Sequence, residues 1–147
     1  MDLNRVAAMK TLPRTSARTV IVDTSHALEA YGDPWFETDR LDRSRSNLLF
    51  TPSWGPHVGC IYLVDYWAIL AGAYIPSPEI SYSASKQSKL REAYPDHPLH
   101  VVVATNGLIG NGARRMVADE PAMQLVPSIE SGAELAAAVA RLAGMTG

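Results

Sequence analysis

The chain has 147 residues, of which 47% are hydrophobic and 19% charged, a globular composition at the commonest size of one domain, able to bury a core without disulfides or metal. Thirteen Lys and Arg against fifteen Asp and Glu give a formal charge of -2, so the chain as a whole offers no electrostatic footprint for nucleic acid. Cys60 is the single cysteine; this excludes an intrachain disulfide and any zinc site built on two thiolates.

Residues 1–17 are polar and aperiodic and read as a flexible N-terminal arm ahead of a single domain over 18–147. The start, Met1 to Arg5, lacks the apolar core of a secretory signal, and no run reaches the roughly 18 apolar residues of a membrane span. A cytoplasmic protein without a membrane span is expected. Val20 to Val22 predicts a first strand, followed by a turn near Asp23 and a second short stretch ending at Tyr31. Asp33 before Pro34, with Glu37 in the first turn, predicts a helix over Pro34 to Asn47. On it Arg40, Arg43 and Arg45 interleave with Glu37, Asp39 and Asp42, the pattern of a solvated face.

Thr51 to Pro56 is turn-rich, and Val58 to Asp65 is nearly all apolar, as a central strand buried on both faces would be. Within it Cys60 reads as a small buried hydrophobe. Residues 66–78 read as a short turn or lid, and a helix runs from Pro78 to about Tyr94, where Pro95 forces a stop. Leu99 to Ala104 is a second buried strand, Gly107 to Gly112 a glycine turn, Ala113 to Asp119 a helix and Met123 to Val126 a short strand. Ser131 to Ala143 is an Ala-rich helix opened by a capping box of Ser131 with Glu134. Strands alternating with helices predict an α/β fold with a mixed, mostly parallel sheet of four to five strands, Val58–Asp65 and Leu99–Ala104 adjacent and central, covered by helices.

Two segments carry the candidate chemistry. Asp65 closes the central strand, where open α/β sheets place ligands, and Tyr66, Trp67, Tyr74 and Ser77 follow it; aromatic side chains of this kind anchor contact surfaces. Asn106, Gly107, Gly110 and Gly112 lead into a helix carrying Arg114, a context that suits an anion at a helix N-terminus, although the glycine spacing departs from the dinucleotide fingerprint. Tyr82 and Lys86 sit four apart on one helix face, as in the Tyr-x-x-x-Lys pair of short-chain dehydrogenases, but residues 1–81 lack the glycine loop of those enzymes. His26, His57, His97 and His100 show no ligand spacing, so a metal would have to be assembled from distant segments; neither metal nor cofactor is expected.

Residues 99–143, with Leu99-His-Val-Val-Val-Ala-Thr105, Gly112-Ala-Arg-Arg-Met116, Gln124-Leu-Val-Pro-Ser128 and Ala133-Glu-Leu-Ala-Ala-Ala-Val-Ala-Arg-Leu142, resemble the last third of the STAS fold, as in the small SpoIIAA-like anti-sigma-factor antagonists. Val58 to Asp65 looks like that family's central strand. The resemblance implies a STAS-like regulatory or ligand-binding domain without catalysis, acting through a protein partner or a small apolar or anionic ligand, or as a homodimer. The family's phosphorylatable serine has no counterpart here, because Tyr66 follows Asp65 and the next serines are Ser77, Ser81 and Ser83. The alternative is a small nucleotide- or phosphate-binding enzyme using the turn at 106–112.

Overall fold

Burial in the first helix of the computed structural model, α1 (Ala17–Leu28), falls on Ala17, Val20, Ile21, Thr24, Ser25 and Leu28, intervals of one, three and four residues that make a single helical stripe. The structure describes residues 16–36, 43–70, 73–75, 77–118 and 120–145, with the backbone alone for 77–82. The strand expected at Val20–Val22 is therefore helical. Three apolar residues fit either period, and the buried neighbours on both sides decide for the helix. The expected arm lies outside the described residues except for Ser16 and Ala17, which open α1.

The helix expected over Pro34–Asn47 is also corrected. Residues 37–42 lie outside the described part, but Pro34 belongs to β1 (Gly32–Trp35) and Asn47 to β2 (Arg45–Pro52). Pro34 is tolerated because β1 is an edge strand, where a missing donor costs little. Arg45 accordingly does not stand on a solvated helix face.

The central strand β3 (Ile61–Trp67) begins three residues later than its apolar run. Val58 is 56% exposed, and Gly59, at φ +89, turns the chain into Cys60. α2 (Ser77–Ala93), β5 (Leu99–Thr105), α3 (Asn111–Val117), β7 (Met123–Val126) and α4 (Gly132–Leu142) follow the sequence pattern closely. The turn or lid expected over 66–78 is corrected, because Tyr66 and Trp67 continue β3 and Tyr74–Ile75 forms β4, which pairs with β6 (Leu108–Ile109) inside the expected glycine turn; two-residue strands leave no period to read in the sequence. Ser131 caps α4, its hydroxyl accepting from the Glu134 amide at 3.2 Å.

The main sheet runs β1-β2-β3-β5-β7, and β4 pairs with β6 in a separate two-stranded ladder. β1–β2 and β2–β3 are antiparallel, whereas β3–β5 and β5–β7 are parallel. The sheet is thus evenly mixed rather than mostly parallel. Among the described residues no helix separates the first three strands, which pair antiparallel, while β3–β5 and β5–β7 are joined through α2 and α3, the crossovers a parallel pair requires.

Alternation along β3 divides the core in two. Tyr62, Val64 and Tyr66 join Leu48, Phe50, Val102 and Ala104 under α1 and α4. Ile61 and Leu63 join Leu49, Val101, Val103 and Met123 under α2 and α3. Among the described residues no helix is long and apolar enough to cross a membrane.

Candidate functional site

The carboxyl ends of β3 and β5 gather most of the candidate residues. Asp65 lies opposite Asn47 on β2 and Val103 on β5, and its parity turns the side chain towards α2. Its carboxylate is fully buried and answered from two elements. Arg45 donates from Nε to Oδ1 at 3.2 Å and from Nη2 to Oδ2 at 3.0 Å, and the Ser83 hydroxyl donates to Oδ2 at 2.7 Å. Burial pushes the Asp65 carboxyl above its ordinary range, against the opposing pull of Arg45, Ser83 and Lys86. The Arg45 guanidinium also stands 4.6 Å from the centroid of the half-buried Trp67 ring, a cation–π contact. One turn beyond Ser83, the buried amide nitrogen of Gln87 has no hydrogen-bond partner among the described residues.

The remaining residues of this end serve different tasks. Tyr66 points to the opposite face, where its hydroxyl donates to the Ile129 carbonyl at 2.5 Å; it is a core anchor rather than a contact residue. Asn106 clasps the segment after β3, accepting from the Ile69 amide at 2.8 Å and donating to the Ile69 carbonyl at 2.9 Å. That clasp leads into the β4–β6 ladder, in which Tyr74 is opposite Leu108 and Ile75 opposite Ile109. Ile75 and Ile109 are buried, but Tyr74 is 61% and Leu108 42% exposed, and Leu70, whose carbonyl accepts from the Ala73 amide, is 45% exposed. The two segments singled out in the sequence therefore meet, at an apolar ladder.

The glycine turn has a packing role. A Cβ on Gly107 would meet the Ile69 side chain and the Ala73 carbonyl oxygen, the latter at 2.6 Å. Gly110 precedes α3, which has only seven residues, and Gly112 lies exposed within it. Arg114 lines a separate surface cavity of about 380 Å³ together with Glu120 and Gln124. The side chains of Ser77 and Tyr82 lie outside the described part.

At the opposite, amino-terminal ends of β3 and β5 the structure makes a cluster that sequence spacing did not reveal. His57 and Cys60 occupy one turn, closed by the Cys60 amide donating to the His57 carbonyl at 3.0 Å. His100 is the second residue of β5 and lies opposite Tyr62 in the parallel register. One donor atom each from His57, Cys60 and His100 fall within 4.8 Å of one another. The rings stack: His100 lies 4.8 Å from Tyr62 and 5.2 Å from His57 between centroids, and the Tyr62 hydroxyl hydrogen-bonds to His57 Nδ1. A cavity of about 250 Å³ opens beside them, lined also by Gln124 and Leu142.

Burial sets the electrostatics here. It pushes the Cys60 thiol up, and it raises the Tyr62 phenol to about 12, with Cys60 adding to the rise. His100 is lowered by burial and then by His57. A neutral imidazole is a ligand for a metal or a hydrogen-bond acceptor. The signal for this cluster was present in the adjacency expected for the two strands, since His57-x-x-Cys60 precedes one and His100 opens the other.

No family model matches the chain, and no curated protein or solved structure matches it either.

Proposed function

We propose that this chain is a non-catalytic binding domain that works by protein contact through the exposed face of the β4–β6 ladder, its partner being a second copy of the chain. The observation that carries the reading is the pairing of the exposed Tyr74 with the exposed Leu108. A two-fold contact must be complementary to itself, and a neutral apolar face meets that condition without setting like charges together. Asp65 supports the non-catalytic part: its two oxygens are occupied by Arg45 and Ser83, and none of it reaches solvent. The STAS-like regulatory form of the reading draws support from the β3–β4–α2–β5–β6–α3–β7–α4 succession and rests on that portion alone.

The anion-binding alternative receives less support, because Ile69 and Ala73 account for the need for glycine at 107. Sedimentation equilibrium tests the reading. Wild type is expected to dimerise with concentration, and Tyr74→Asp to weaken dimerisation at least tenfold, about 1.4 kcal/mol, while melting like wild type. A chain that stays monomeric at every concentration, or a Tyr74→Asp variant that dimerises unchanged, would overturn it.

A further inference from the structure

We propose that His57, Cys60 and His100 form a binding site for one divalent transition-metal ion of borderline softness, with zinc as the reference occupant and one coordination position open towards the neighbouring cavity. This site stands apart from the β4–β6 face, at the other end of the strands.

The scaffold around the three donors is closely tied. Thr51 donates its hydroxyl to the Cys60 carbonyl at 2.9 Å, and the Ile61 amide donates to the Pro98 carbonyl at 2.8 Å, joining the entries to β3 and β5. The parallel register then sets His100 beside Tyr62. Bond lengths of about 2.0–2.1 Å to nitrogen and 2.3 Å to sulfur give a tetrahedron with edges of roughly 3.3–3.7 Å. Donors already within 4.8 Å reach those edges by an approach of about 1 Å, with the two rings rotating out of their stacked arrangement so that their in-plane lone pairs converge.

The donor types select the ion. Two imidazoles and one thiol suit zinc and its borderline neighbours, whereas calcium and magnesium require oxygen ligands. Ligation by His57 through Nε2 leaves Nδ1 to the Tyr62 hydroxyl, the kind of outer partner that orients a ligating imidazole. Three protein ligands leave a tetrahedral ion one position short, and the cavity of about 250 Å³, with Gln124 on its wall, has room for a water or a small anion there. Ring stacking alone would explain the packing of His57, Tyr62 and His100, but it does not explain a thiol brought to the same point.

The test uses the full chain and zinc in competition with a chromophoric chelator. Wild type is expected to take up one zinc per chain, and Cys60→Ser and His100→Gln each to weaken binding at least tenfold. His26→Gln, altered on the exposed side of α1, should bind as wild type does. Cobalt in place of zinc should give a thiolate charge-transfer band that Cys60→Ser lacks. His57→Gln, in a surface turn, replaces His100→Gln if the latter melts abnormally, with the same tenfold loss expected. Absence of binding, equal binding by wild type and the ligand variants, or bound cobalt without the charge-transfer band would overturn the proposal.

Discussion

A carboxylate withdrawn from water in the middle of a sheet must be answered by partners, and Asp65 is answered by Arg45 from β2 and Ser83 from α2. Removing one member leaves the other charge stranded, whereas removing both leaves an apolar gap that neighbours can fill. Arg45→Met should therefore destabilise the fold by about 3 kcal/mol, measured by urea unfolding, and Arg45→Met combined with Asp65→Leu should recover most of that loss. Additive losses in the double variant would mean that the two side chains do not act as a pair. The raised carboxyl of Asp65 also fixes the sign of a pH effect. The folded state holds the proton more tightly than the unfolded chain does, so this contribution is fully present below about pH 3.9 and is lost as pH rises through the higher folded value. Relative to Asp65→Asn, wild type should lose stability as pH rises from that point. A wild type that instead gains on the variant would show that Arg45 outweighs burial.

The small β4–β6 ladder depends on glycine at one position and only tolerates it at another. At Gly107 an added methyl would strike the Ala73 carbonyl, which is backbone and cannot turn aside, so Gly107→Ala should cost about 2 kcal/mol or more. At Gly110 the nearest atom would be the Tyr74 ring at 3.5 Å, an ordinary contact, and Gly110→Ala should cost less than about 1 kcal/mol. Thermal melts of the two variants compare them directly, and equal losses would contradict the packing account. The glycines were legible in sequence as a turn, but which of them is essential depends on Ile69 and Ala73, 34 or more residues away. Elements with a long pattern and a cap, such as α4 behind Ser131, were legible to within a residue or two. Val20–Val22 and Pro34–Asn47 depart from their local pattern because a short apolar run fits both periods, and because a helix-start signal at Asp33-Pro34 is overridden when β2 offers an edge to pair with. The same dependence on distant partners hid Arg45: local charge alternation gave no sign of the ring and carboxylate that hold it.

Across the whole molecule, cooperative strength should follow position in the sheet. β3 has a hydrogen-bonded strand on each side and a packed layer on each face, α1 with α4 on one and α2 with α3 on the other. β5 shares this setting, lying between β3 and β7. Opening either exposes both cores, so their amides have no local route to solvent and must wait for global unfolding. β1 is an edge strand, β4 and β6 pair over two residues each, and α3 has seven residues of which Ala113 alone is buried. Such elements open with less free energy than the molecule as a whole, because few apolar contacts are lost when they do. Native-state hydrogen exchange should therefore find the slowest amides in Ile61–Trp67 and Leu99–Thr105, with opening free energies equal to that of global unfolding by urea. Amides of Leu108, Ile109 and Asn111–Val117 should exchange by smaller openings that respond little to denaturant. Equal protection in α3 and β3 would mean that the ladder and its helix belong to the same cooperative unit as the sheet. The proposed contact face at Tyr74 and Leu108 would then be a rigid surface rather than one that settles against its partner, and binding there would leave the exchange rates of α3 unchanged.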